Sequence, residues 1–109
     1  MKMVDFSKAA KESLIQRDIL KYLNGLPMCK AIKIICANEG GTPDIFCVYR
    51  GTPLVLEVKA TEQDVLRSAL DQKRQHMQMD QWETTGAMTA YVWSLEGVES
   101  LITHIAKKL

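Results

Sequence analysis

The chain has 109 residues, 47% of them apolar and 25% charged. That is the size and balance of one globular domain, and it excludes disordered and fibrous classes. With 14 basic and 13 acidic residues the formal charge is only +1, so a polyanionic partner must be met by local arrangement.

Residues 7 to 24 are expected to form a helix. Ile15, Ile19, Tyr22 and Leu23 recur at helical spacing, Ser7 is placed to cap the entry, and Gly25 with Pro27 stops it. From Cys29 to Ala37 the pattern becomes β-branched and apolar (Ala31, Ile32, Ile34, Ile35), with Lys30 and Lys33 interleaved, which predicts a strand. Gly40, Gly41 and Pro43 break the chain. Ile45 to Tyr49 and Leu54 to Lys59 then read as a hairpin around an Arg50-Gly51-Thr52-Pro53 turn. A second helix is predicted within residues 64 to 85, ending at Gly86, then a strand from Met88 to Trp93. Val98, Leu101, Ile102, Ile105 and Leu109 mark a last helix, with Ser94 as its cap. The order α-β-β-β-α-β-α implies an α/β fold, a sheet with helices packed on it, and a single domain over residues 1–109.

Cys29, Cys36 and Cys47 are odd in number and lack C-x-x-C spacing or matching histidines, so they read as reduced core thiols, not a disulfide framework or zinc site. No apolar run has signal-peptide or membrane-spanning length, and a cytoplasmic address is expected.

The hairpin carries the chemistry. Alternation puts Glu57 and Lys59 on one face of their strand, and Leu56 and Val58 on the other. Folding the hairpin brings Asp44, at the head of the neighbouring strand, beside Glu57. Two carboxylates held together repel and take up a proton unless a cation lies between them. A hard cation such as Mg²⁺ suits them, since it accepts one or two carboxylates, keeps waters and takes phosphate oxygens. Lys59 adds an ammonium that orients the attacking water or offsets charge on a phosphate. The plainer alternative is a turn-capping Asp44 and a solvated strand face.

Two helical residues sit on apolar stripes where polar groups are costly. Glu12 lines up with Ile15, Ile19 and Leu23, and a carboxylate there needs a partner, unless the first turn leaves it exposed in the favourable field of the helix N-terminus. Gln75 shares the face of Met79 and Trp82, to hold a water or phosphate oxygen or to serve as an ordinary buried amide. Leu66, Ala69, Leu70 and Met77 make a second stripe on the same predicted helix, suited to a partner subunit. His76 and His104 stand apart from any orienting acid and read as solvated or structural. Lys30, Lys33, Arg50, Lys73 and Arg74 flank the site and are candidates for phosphate contact, Lys33, Lys73 and Arg74 foremost.

These residues together resemble the VRR-NUC family of the PD-(D/E)XK nucleases. The resemblance runs through Glu12, Gly41-Thr42-Pro43-Asp44-Ile45, Leu56-Glu57-Val58-Lys59-Ala60, Gln75 and Gly86, then an apolar strand leading to Ser94-Leu95-Glu96. It implies a restriction-endonuclease-like αβββαβ core, with a mixed central sheet flanked by helices, plus a C-terminal helix. It further implies Asp44, Glu57 and Glu12 as ligands of Mg²⁺ or Mn²⁺, Lys59 as the catalytic lysine and Gln75 completing the site. A spacing from Lys59 longer than the family pattern leaves Gln72 as an alternative to Gln75. Stand-alone members look like virus-type and bacterial nucleases acting on branched DNA, which implies a homodimer that resolves four-way (Holliday) junctions in the cytoplasm of a bacterium or virus-infected cell. A flap- or end-directed nuclease, or a non-catalytic DNA-binding module of the same fold, are the competing expectations.

Overall fold

The computed structural model describes residues 6–109, with Phe6 and residues 68–71 described by backbone alone. In chain order the elements are α1 (Phe6–Asn24), β1 (Cys29–Lys33), β2 (Ile45–Tyr49), β3 (Thr52–Val58), α2 (Glu62–Asp71), α3 (Lys73–Thr84), β4 (Met88–Val92) and α4 (Leu95–Lys108). They form one sheet in the order β1-β2-β3-β4, antiparallel across the first three strands and parallel between β3 and β4. This is the mixed-sheet α/β architecture, with its added C-terminal helix, that the sequence led us to expect. Among the described residues no helix is long and apolar enough to cross a membrane.

The hairpin is tighter than predicted. Arg50 and Gly51 both take left-handed backbone angles, φ +49° and +84°, and this pair alone makes the turn, so Thr52 and Pro53 enter β3 opposite Tyr49 and Val48. Pro53 is tolerated there because β4 pairs with β3 only from Leu54 onward.

Two other boundaries move. β1 ends at Lys33, not Ala37, because its partner β2 begins at Ile45, directly opposite Lys33. Past one further bond, from the Ile34 N–H to the Asp44 carbonyl at 2.8 Å, the β-branched run has no ladder to join. The single helix expected over residues 64 to 85 is two helices, broken at Gln72, whose backbone lies at φ −111°, ψ 64°. At roughly 100° per residue, the Leu66–Met77 stripe and the Gln75–Trp82 stripe fall about half a turn apart, so one straight helix cannot bring both to the sheet. The break lets α3 turn Gln75 and Met79 inward, while Leu66 and Met77 stay 64% and 60% exposed. The Ala69 and Leu70 side chains of that stripe lie outside the described residues.

The sheet separates two apolar layers. Ile19 and Leu23 of α1 and Val98, Ile102 and Ile105 of α4 pack on the face carrying Ile45, Cys47, Leu54, Leu56 and Val58. Val55, Phe46 and Tyr91 meet Met79 and Trp82 of α3 on the other. Ser94 caps α4 as expected, its hydroxyl accepting the Gly97 N–H at 3.3 Å. Of the three cysteines only Cys47 is buried; Cys29 is half-buried, with its sulfur 3.5 Å from that of Cys47. Cys36 is exposed, which corrects its assignment as a core thiol: it lies beyond the end of the shortened β1.

Candidate active site

Alternation along β3 sends Leu56 and Val58 into the α1/α4 core and Glu57 to the opposite face, under α3. Glu57 is only 4% exposed, which rules out a solvated strand face. Its carboxylate has three neighbours. Gln75, on the first turns of α3, donates its side-chain N–H to Glu57 Oε2. The Lys59 ammonium lies 3.5 Å from the same oxygen. The Asp44 carboxyl is the third, near enough for its charge to raise the proton affinity of Glu57. The other oxygen, Glu57 Oε1, is buried and has no hydrogen-bond partner among the described residues, and the same holds for Gln75 Oε1.

Asp44 reaches this place through the ladder. Ile45 opposes Leu56, so the Val58 N–H lies past the end of β2. Asp44 Oδ2 accepts that N–H at 2.8 Å and thereby turns toward β3, instead of capping the proline turn behind it. The loop before it is anchored as well. Gly41 adopts φ +78°, and its backbone is packed so tightly on Arg74 and Gln75 that a Cβ would sit 2.7 Å from the Arg74 carbonyl carbon. The amide of the buried Gln78 bonds Glu39 at 3.0 Å, and Thr42 Oγ1 donates to the Glu39 carbonyl at 2.7 Å. The loop delivering Asp44 and the helix delivering Gln75 are thus one packed unit.

The electrostatics follow from burial. Desolvation, then the adjoining Asp44 carboxyl, pushes the Glu57 carboxyl up to about 9, only partly offset by Lys59. Glu12, half-buried on α1, is raised above its ordinary range by desolvation; Lys59 opposes this and Asp44 adds to it, so α1 does bring Glu12 into the field of the hairpin. Among the described residues, however, no three His, Cys, Asp or Glu side chains form a metal-ligand group. The donors at hand are therefore the Asp44 and Glu57 carboxylates, with Glu12 at one remove. An orphaned, desolvated carboxylate oxygen beside a second carboxyl is the arrangement a hard divalent cation fits, because the cation supplies the charge both oxygens lack.

Between the two glutamines the structure brings Gln75 to Glu57, whereas Gln72 is exposed at the helix break. Lys33 (paired with Ile45), Lys73 and Arg74 are all exposed, and Arg74 lies along the loop before Asp44, its guanidinium 3.2 Å from where a Gly40 Cβ would be. One neighbour of Glu57 escaped the sequence reading. Tyr91 stands opposite Glu57 in the parallel β3–β4 register, and its hydroxyl is 3.3 Å from His76 Nδ1. The two ring centroids lie 5.4 Å apart at a tilt of 42°, and His76 is half-buried. Only the register between sequence-distant strands reveals that pair. Lys8 and Lys11 were also passed over, although both precede Glu12 by one helical turn or less and so share its end of α1.

No family model matches the sequence, and no curated protein does either. The fold does have a counterpart among solved structures: one described as a VRR_NUC domain superposes with a TM-score of 0.69 at 24% identity, covering 86% of this chain and 96% of that one. The likeness establishes a shared fold over most of both chains.

Proposed function

We propose that the chain is a divalent-metal-dependent nuclease that hydrolyses DNA phosphodiester bonds. One observation carries it: a buried Glu57 carboxylate, with one oxygen unpartnered, flanked by Asp44, Lys59 and Gln75. The likeness in fold to a VRR_NUC domain and the sequence resemblance support the same conclusion.

Asp44 and Glu57 would hold Mg²⁺ or Mn²⁺, which when bound polarises a phosphoryl oxygen and acidifies water. The protein's own groups have separable tasks. Gln75 fixes the rotamer of Glu57 by donating to Oε2, which leaves Oε1 free to face the site. Lys59 places a positive charge 3.5 Å from that carboxylate, where it orients the attacking water and offsets charge accumulating on the phosphate in the transition state. Glu12 sits within the field of Lys59 and Asp44 and would act on water held beyond the two carboxylates. The cut would leave 5′-phosphate and 3′-hydroxyl ends, as in the family it resembles.

The preferred substrate in this proposal is branched DNA, and the working form a homodimer presenting two sites to a four-way junction. The exposed Leu66 and Met77 favour a paired surface. Purified protein with Mg²⁺ or Mn²⁺, given four-way junctions, flaps and linear duplexes, should cleave the junction fastest. Lys59→Ala should lose cleavage but keep binding. Cleavage by Lys59→Ala at the wild-type rate would remove the lysine from the mechanism, and binding without any cleavage by the wild type would leave a DNA-binding module of nuclease fold.

A further inference from the structure

A cleft of about 290 Å³ separates the first turns of α1 from the start of α2, lined among others by Lys8, Lys11, Thr61, Asp64 and Arg67. It adjoins the candidate active site along two walls. Ala60 and Thr61 continue directly from Lys59, and Lys8 lies one helical turn before Glu12, close enough for their charges to interact.

Its charge is unbalanced. Three cations face one carboxylate, and that carboxylate is already engaged: Asp64 pairs with Lys8 and accepts from Thr61 Oγ1 at 3.0 Å. The Thr61 hydroxyl in turn accepts the Asp64 N–H at 3.2 Å, so that N–H is taken and the charged side chains are the donors best placed for an anion. Lys11 and Arg67 supply them. Lys11 is exposed, and the Arg67 side chain is 72% exposed, 4.0 Å from Asp64. In a chain whose formal charge is +1, a local surplus of two beside a phosphodiester-cutting centre has a definite chemical complement. The opposite flank is different, since Arg74 there is laid along Gly40 and shares its cleft with Glu39.

We infer that this cleft takes a backbone phosphate of the strand being cut, held by Lys11 and Arg67, with the Lys8–Asp64–Thr61 cluster fixing its floor. The inference rests on the nuclease reading and gives it a direction: the strand leaves the reaction centre between α1 and α2.

The test is DNA affinity as a function of salt, read by fluorescence anisotropy with Ca²⁺ in place of Mg²⁺, for wild type, Lys11→Ala, Arg67→Ala, the double variant and a Lys107→Ala/Lys108→Ala control at the end of α4. Both tested side chains are exposed, so melting curves should be unchanged. Each single change should weaken binding, and the double variant, which gives up the one phosphate, should flatten the log–log salt slope by about one unit. With Mg²⁺ the double variant should show a raised KM and a near-normal kcat. A double variant whose slope matches wild type, in a protein that cleaves DNA, overturns the cleft assignment alone. A wild type that neither binds nor cuts DNA overturns the nuclease reading and takes this one with it.

Discussion

Asp44 and Val58 are joined across the open end of the β2–β3 hairpin, the carboxylate of one accepting the backbone N–H of the other at 2.8 Å. Asp44 therefore has two separable jobs: one oxygen finishes a ladder that has run out of strand, and the carboxyl as a whole supplies charge to the site. Asp44→Asn retains an acceptor for Val58 and should keep stability within about 1 kcal/mol of wild type while losing activity. Asp44→Ala leaves the N–H unmatched and should cost about 1–3 kcal/mol as well. Urea denaturation beside a cleavage assay separates them, and equal destabilisation by both substitutions would mean that the bond to Val58 contributes nothing.

The Glu57 carboxyl is raised to about 9 in the folded chain, chiefly by burial, from an ordinary 4.5. Above that ordinary value the unfolded chain releases a proton that the native chain keeps. The native state then binds more protons, and stability falls as pH rises from about 4.5 to about 9. Glu57→Gln removes the titration. Without metal, its melting temperature should exceed that of wild type at pH 8 by about 5 °C or more, with the gap closing toward pH 5. Parallel melting curves for the two proteins across that range would show that Glu57 ionises freely in the fold. The same substitution should abolish cleavage, which would make this a site held at the expense of stability.

Much of this site was legible because period-two alternation and local breakers carry information over short range. Glu57 and Lys59 share a face by counting alone, and Gly41-Thr42-Pro43 announced a turn delivering Asp44. The helix break at Gln72 was not legible, since no proline or glycine marks it and its physical cause is a conflict between two stripes that appears only when a sheet must be covered. Nor could the sequence show Tyr91 beside Glu57, which depends on the register of a parallel pair joined through two helices. Ile34 and Ile35 were drawn into β1 by β-propensity, but a strand extends only as far as its partner does.

The contact between loop and helix behind the site predicts an asymmetry between two glycines. Gly41 and Gly51 both have positive φ, +78° and +84°. A Cβ on Gly51 would meet no atom of the described residues within 4 Å, whereas one on Gly41 would run into the backbone of Arg74 and Gln75 at 2.7–2.8 Å. Gly51→Ala should therefore cost only the conformational penalty, about 1 kcal/mol. Gly41→Ala should cost about 3 kcal/mol or more, and should also lower activity in the surviving folded fraction by moving Asp44 away from Gln75. Chemical denaturation with activity normalised to folded protein checks both. Equal costs at the two positions would show that the loop yields freely and does not hold the site.

If Asp44 and Glu57 hold the cation proposed for them, the raised Glu57 carboxyl also links metal to protons. A cation cannot use that carboxylate while it is protonated, so binding must displace the proton that burial and Asp44 hold there. Below about pH 9 the apparent affinity for Mn²⁺ should then rise about tenfold for each unit of pH, since one displaced proton is worth about 1.4 kcal/mol per unit. Calorimetry in two buffers of different ionisation enthalpy should count close to one proton released per ion bound at neutral pH. Asp44→Asn removes both a ligand and one of the charges that keep Glu57 protonated, so its residual binding should be weak and also less dependent on pH. If wild type binds Mn²⁺ with no proton release and with an affinity flat from pH 6 to 8, Glu57 is already ionised in the metal-free protein, and Lys59 at 3.5 Å outweighs the desolvation that here sets its charge.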